Sequence, residues 1–290
     1  MKVIVSIIFL IAALAVDATP HNPVGITGGT NANFGEFPFI VSLQTEGCHR
    51  ANASATIHTC SGTIISPNYI LTAAHCVNKQ NGSMKVLKIV AGLVDIEGGD
   101  ETYRQDVGIE SIVIHPDYET TYEQFGYMAP SDLAIVKLNQ SLTFNEVVGS
   151  ISLPEEDAQL DDNADVQFVG WGDHVCWTEK PTRLQTTKYN IINYETCYLA
   201  CLALFYDNDK LVTVDEDLSL CTGPLNNGTR VNVAGDSGGP LIKDGLVYGL
   251  HSWIFVYYNA AIDHDMKGPS GIFVKLSSYI SWIKENVDDL

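Results

Sequence analysis

Short β-rich runs, interrupted at close intervals, set the narrowest limit on what this chain can fold into. Segments 39–43, 63–65, 69–72, 87–91, 112–115, 134–138, 166–170, 246–251 and 271–274 each hold a few apolar or β-branched residues, with Gly, Pro, Asn and Asp between them. Strands this short, with turn residues between them, fit a sandwich or barrel and not alternating βα units. The exception comes last: within 277–287, Ile280, Ile283 and Val287 fall at helical spacing with Lys284 and Glu285 elsewhere on the wheel, which predicts a closing amphipathic helix docked on the body. A hydrophobic content of 46% against 18% charge makes the chain globular, and its 290 residues allow one or two domains. The acidic stretch 154–165 is either the connection between two halves or a solvated loop within one domain. No internal repeat stands out.

The first residues, Met1-Lys2 and then the apolar run 3–16, have the charged start and short apolar core of a secretory signal peptide, with cleavage expected after Ala15 or Ala18. No later segment has the uninterrupted apolar length of a membrane helix, so the mature protein is expected to be secreted and extracellular, with no membrane partner once the signal is removed. A formal net charge of −19 argues against nucleic acid, since a polyanion would be repelled. Sequons begin at Asn52, Asn81, Asn139 and Asn227, each a candidate glycosylation site. The seven cysteines contain no CxxC pair and read as a disulfide framework with one thiol over, not as a metal site.

Hydrolysis of an amide by a hydroxyl requires a nucleophile, a base, a group that holds the base, and donors for the oxyanion. Gly235-Asp236-Ser237-Gly238-Gly239-Pro240 sets a serine among glycines, whose backbone can take unusual dihedrals and let a substrate approach the N–H groups. His75 lies in Leu71-Thr72-Ala73-Ala74-His75-Cys76, and Asp132 precedes the apolar Leu133-Ala134-Ile135-Val136, which places it at a buried strand start. His21, His58 and His115 have no such setting and read as ordinary surface or core histidines.

These three segments, in the order His, Asp, Ser, resemble the signatures of the chymotrypsin/trypsin family of serine endopeptidases. Ile26-Thr27-Gly28-Gly29, Gly170-Trp171-Gly172 and Ser252-Trp253 extend the likeness over 26–290. The resemblance implies an all-β fold of two packed six-stranded antiparallel barrels, 26–145 and 146–275, with a terminal helix at 276–290. Residues 1–18 would be the signal and 19–25 a short propeptide. It also implies the chemistry: Ser237 attacks the carbonyl and forms an acyl-enzyme, His75 takes and returns the proton, Asp132 orients the imidazole, and the N–H groups of Gly235 and Ser237 receive the oxyanion. A new terminus at Ile26 would pair with Asp236 and so order the nucleophile turn. Relatives that trypsin activates carry Arg or Lys before the cut, whereas Pro23-Val24-Gly25 stands here, so trypsin is not the expected activator. A protease that accepts small residues, or self-processing, is expected instead.

By the same resemblance the specificity pocket is formed by Val231, Asn232, His251, Ser252, Trp253, Ile254 and Gly271. Val231 supplies no carboxylate for Lys or Arg, which implies a non-tryptic enzyme. Ile254 narrows the entrance toward an elastase-like preference, while Gly271 pulls toward a chymotrypsin-like one. His251 leaves open a glutamyl preference, against the ordinary reading of a histidine that merely fills the wall. Family pairing implies Cys60–Cys76 and Cys197–Cys221, with Cys176–Cys201 preferred among the remaining three, which include Cys48. Val166 and Val233 stand where relatives often have cysteine. Residues 95–101 read as a solvated turn, not a calcium loop, and no cofactor or metal is expected. The partners implied are protein or peptide substrates and protein inhibitors, for a monomer. The short stretch ahead of Ile26 leans toward digestion or another effector use. A non-catalytic homologue that keeps the fold as a binding or regulatory protein is the competing class.

Overall fold

The computed structural model describes residues 29–46, 56–78, 86–96, 98, 101–118, 130–172, 182–205, 214–224, 235–253 and 270–290. It is mostly antiparallel sheet, as the interrupted β runs predict. The first sheet comprises β2 (Ile40–Glu46), β3 (Thr56–Ile64), β4 (Tyr69–Thr72), β5 (Val86–Ala91), β6 (Gln105–Val107), β7 (Ile109–Ile114) and β8 (Ala134–Leu138), in the order β6-β5-β2-β3-β4-β8-β7. Its two outer strands are consecutive in the chain and meet at Gly108, so the sheet curls on itself.

The second sheet holds β9 (Asp165–Gly170), β10 (Gln185–Ile192), β11 (Ser219–Pro224), β12 (Pro240–Lys243), β13 (Leu246–Trp253) and β14 (Gly271–Lys275). Pairing runs β9-β10-β11-β14-β13-β12 and returns from β12 to β9, which closes a six-stranded barrel. The short β1 (Thr30–Asn31) lies ahead of the first sheet in sequence but pairs with β10, through Thr30 opposite Thr186 and Asn31 opposite Gln185. The start of the chain segment expected in the first barrel is thus stitched to the second. The acidic stretch 154–165 lies between β8 and β9 and joins the two sheets.

Three cores account for the strand composition. The interior of the first sheet packs Val41, Leu43, Ile64, Ile70, Ile89 and Val136, and that of the second packs Phe168, Tyr189, Leu241 and Phe273. A third core between the sheets gathers Ile40, Leu71, Ile135, Val169, Leu250 and Ile283. β4 reads as a continuous apolar run because it serves both its own barrel and this seam, and all four of its residues are buried. The terminal helix forms as its periodicity predicts: a 3-10 turn, Leu276–Tyr279, leads into a helix, Ile280–Asn286, that buries Ile280 and Ile283 while Lys284 and Glu285 face water.

Ahead of it in the chain lie α1 (Ala74–Val77) and α2 (Tyr194–Phe205), and the terminal helix is numbered α3. The sequence reading did not anticipate α2. Its apolar residues run all round the helix, so no polar face marks it, and Leu199 stays exposed while Cys197 and Cys201 are buried. Cys60–Cys76 and Cys197–Cys221 are bridged, with Cα separations of 6.1 and 6.2 Å. Cys201 is a free buried thiol beside Cys197, Cys221, Val214 and Ile272. Its bridge to Cys176 is therefore not formed; Cys48 and Cys176 lie outside the described residues.

Candidate active site

β4 runs straight into α1, and His75 sits on that single helical turn with its side chain 19% exposed. The neighbouring Cys76 is tied to β3 through Cys60, which fixes the turn against the sheet. Asp132 lies two residues ahead of β8 and is 1% exposed, as expected of an acid followed by apolar residues. Three donors reach its carboxylate: the His75 backbone N–H at 2.8 Å, His75 Nδ1 at 2.7 Å and the Ser252 hydroxyl at 2.6 Å. A carboxylate only accepts, so the His75 proton resides on Nδ1 and Nε2 keeps a free lone pair. Burial pushes the His75 imidazole down, but the charge of Asp132 and its hydrogen bond outweigh that, and the net shift is upward from 6.5.

Ser237 belongs to the other barrel, on the turn that leads into β12, and is partly exposed. Its carbonyl accepts the Ser61 N–H at 2.7 Å and lies 3.8 Å from Cys76 Sγ, so the turn that carries Ser237 is pinned beside the residue next to His75. Among the described residues no hydrogen bond links the Ser237 hydroxyl to His75. Gly238 holds the turn with φ +78°; a Cβ there would collide with Ser61 O and Thr72 Oγ1. Its N–H donates to the His251 carbonyl at 2.7 Å, and the His251 N–H donates to Gly239 O at 2.8 Å.

Gly235 has φ +93°. Its carbonyl accepts His58 Nε2 at 3.0 Å and Ser61 Oγ at 3.4 Å, while His58 Nδ1 meets Ser42 Oγ at 2.8 Å. A carbonyl cannot donate, so Nε2 carries the His58 proton and the Ser42 hydroxyl points at Nδ1. His58 is thus the satisfied core histidine expected, and its partners give it a further part: it spans the seam and fixes the peptide that follows Gly235. Nothing in its sequence setting marks it, because the partner is a backbone atom 177 residues away. His115, by contrast, is a packed histidine, set against Tyr279 and Trp282.

Asp236 is fully buried and accepts the Gly172 N–H at 2.9 Å. Its expected partner Ile26 lies outside the described residues, as do the pocket positions Val231, Asn232 and Ile254 and the sequons at Asn52, Asn81 and Asn227. Asn139 is exposed just past β8. Ser252, expected in the specificity pocket, donates its hydroxyl to Asp132. Gly271 starts β14 opposite Thr222. His251 is 1% exposed and packed against Phe168 and Phe273, with neither ring nitrogen hydrogen-bonded among the described residues; burial first, and the charge of His75 second, push it down to about 3. Cys60, His75 and Cys76 lie close enough to share an ion, but the two sulfurs are joined to each other and offer no thiolate. Of residues 95–101, expected as a solvated turn, Asp95 accepts the Gly98 N–H and Glu101 pairs with Arg104 at 2.9 Å, while 97, 99 and 100 lie outside the described residues.

No helix among the described residues is long and apolar enough to cross a membrane. The trypsin family profile matches residues 26–283. Serine protease 28 of Mus musculus is 31% identical over 94% of this chain and 93% of its own length. Chymotrypsin-like elastase family member 1 of Homo sapiens is 31% identical over 91% of this chain and 93% of its own. A trypsin of Simulium vittatum is 32% identical over 81% and 86% respectively. A closed six-stranded barrel facing a second curled sheet, a histidine and a buried acid hydrogen-bonded between them, and a matching family profile lead to one conclusion: the chain belongs to the trypsin family of serine proteases.

Proposed function

We propose that the protein is a secreted serine endopeptidase in which Ser237, His75 and Asp132 cleave peptide bonds through an acyl-enzyme. The observation that carries this reading is the set of three donors on the buried Asp132 carboxylate, two of them from His75, which leaves Nε2 free to act as a base. When substrate binds, the Ser237 hydroxyl transfers its proton to His75 Nε2 as Oγ bonds to the carbonyl carbon. The proton then passes to the leaving amine, and water repeats the sequence on the acyl-enzyme. Asp132 stabilises the imidazolium that forms between these transfers. The Gly235 and Ser237 N–H groups receive the oxyanion, each donor contributing about 3 kcal/mol in related sites. The grip of His58 and Ser61 on the Gly235 carbonyl supports this role by limiting rotation of the turn.

Cleavage after an apolar residue, with a chymotrypsin- or elastase-like preference, is the specificity this reading favours. The neutral, enclosed state of His251 supports the wall-filling role over recognition of a glutamate side chain. A leader at 1–18, release of 19–25, and pairing of the new Ile26 amine with the buried Asp236 complete the reading, with N-glycosylation at exposed sequons such as Asn139. The enzyme acts as a monomer on protein or peptide substrates, subject to protein inhibitors. Labelling the processed protein with a serine-directed phosphonate tests it: modification of Ser237, lost in His75→Ala, is expected. A folded, processed protein that stays unlabelled would favour a non-catalytic binding homologue. A peptide library then reads the specificity, and strong cleavage after Lys or Arg would overturn the pocket assignment.

A further inference from the structure

Ser131, directly before Asp132, is 4% exposed and has φ +59°, a left-handed conformation that serine adopts only at a cost. Something must hold it there. Local hydrogen bonds contribute: the Leu133 N–H reaches back to Ser131 O at 2.6 Å, and the Leu133 carbonyl accepts the His115 N–H at 2.9 Å. Side-chain packing contributes less, because a small cavity opens beside Ser131 and Asp132, lined also by Asp215, Ser252 and Trp253. The remaining tether comes from the far end of the chain. Tyr279, on the 3-10 turn ahead of α3, donates its hydroxyl to Ser131 Oγ at 2.9 Å.

We propose that Tyr279 is a positioning residue for Asp132: its hydroxyl holds Ser131 in the left-handed conformation that aims the Asp132 carboxylate at His75. Once that tether is cut, Ser131 relaxes toward ordinary backbone angles and carries the carboxylate off the imidazole. Tyr279 is built for a permanent hold. It is 4% exposed, its ring stands edge-on to His115 at 5.1 Å, and His115 packs in turn at a tilt against Trp282 at 4.8 Å. Burial, with the charges of Asp117, Asp215 and Asp132 adding to it, pushes the phenol up to about 12, so the hydroxyl remains a donor throughout the working pH range. The 3-10 turn that leads into the terminal helix thereby acts on the proposed catalytic acid.

The proposal rests on the assignment of Asp132 made above, and the test separates the two. Tyr279→Phe removes the hydroxyl and keeps the ring contacts. A fall of about five- to tenfold in kcat on a peptide substrate with KM unchanged is expected, the size of one lost neutral hydrogen bond. The low-field proton resonance of His75 Nδ1 is expected to move upfield or broaden. Adding Ser131→Gly to Tyr279→Phe is expected to restore kcat to within about twofold, because glycine takes a positive φ unaided. Ser131→Ala, which deletes the acceptor, reproduces the fall if Tyr279→Phe folds poorly. Unchanged kcat and an unchanged resonance, or a fall that Ser131→Gly fails to rescue, would overturn the proposal. If wild type fails to label at Ser237, the catalytic reading is what has failed, and the His75 resonance still decides whether Tyr279 positions Asp132.

Discussion

Asp132 holds two hydrogen bonds from His75 and one from Ser252, and this pairing decides how the site responds to pH. The raised pKa of His75 means that the neutral base is lost on acidification at a pH above 6.5, so kcat/KM is expected to climb with pH through that raised value. In Asp132→Asn the opposing charge is gone and burial acts alone, so the limb is expected to move below its wild-type position while kcat falls by about 10³- to 10⁴-fold. A pH–rate profile checks both, and a limb that stays in place would dissociate Asp132 from the base. The His75 pair also stabilises the fold, fully below about 6.5, and that contribution is lost as pH rises through the raised value. His251 works the other way. Its folded-state pKa of about 3 is lower than the 6.5 of an unfolded histidine, so the unfolded chain takes the proton first. Stability is intact above about 6.5 and drains away as pH falls toward 3, by something of the order of 5 kcal/mol. His251→Leu, apolar among Phe168 and Phe273, is expected to flatten this decline. Urea midpoints of the two proteins at pH 7 and pH 4 measure it; parallel losses would show that another group titrates.

Elements with a simple period were legible before any coordinates. Strands β4 and β8 and the terminal helix stand where their patterns put them, because each buries a contiguous face. Strand β10 was missed: Gln185, Thr186, Thr187, Lys188 and Asn190 look like loop, yet Thr186 and Thr187 are buried, and Thr186 Oγ1 satisfies itself on Phe168 O at 2.9 Å. Polar residues that find partners inside a closed barrel carry no outward sign of burial. Helix α2 was hidden for the opposite reason, an apolar composition without a polar face, although a cap was present in the sequence. Asn193 Oδ1 accepts the Thr196 N–H at 2.9 Å, and Glu195 lies in the first turn. Asn193→Ala is therefore expected to cost about 1 kcal/mol, with faster amide exchange confined to the first turn of α2. Uniform exchange across the helix would mean that the Cys197–Cys221 bridge, not the cap, sets its stability. His75, Asp132 and Ser237 stood out as candidates because their neighbours are distinctive; His58, Ser252 as an Asp132 donor and Tyr279 did not, since each acts on an atom remote in sequence.

His75 and Asp132 come from the first barrel and Ser237 from the second, so the seam between the barrels determines whether the three meet. That seam is held by directional contacts, among them the Ser61 and His58 bonds to the turn that carries Ser237, the Leu184 N–H on Val94 O and the Ile96 N–H on Thr182 O, and by a large apolar core. Ile283 is fully buried in this core and belongs to neither sheet; it is delivered by the terminal helix, together with Val287. Truncating it to alanine leaves a cavity at the seam and is expected to cost about 3 kcal/mol. For a chain of this size that corresponds to a fall in Tm of roughly 6 to 12 °C. A comparable deletion inside the first barrel, Ile89→Ala, removes the same kind of side chain from a core that one sheet closes on its own. If the seam aligns the site, the two variants part company below their melting points: Ile283→Ala loses kcat/KM well before global unfolding, while Ile89→Ala keeps it until the transition. Activity measured against temperature, beside a melt followed by circular dichroism, distinguishes the cases. Activity and ellipticity lost together in Ile283→Ala would show that the barrels hold their register without the helix.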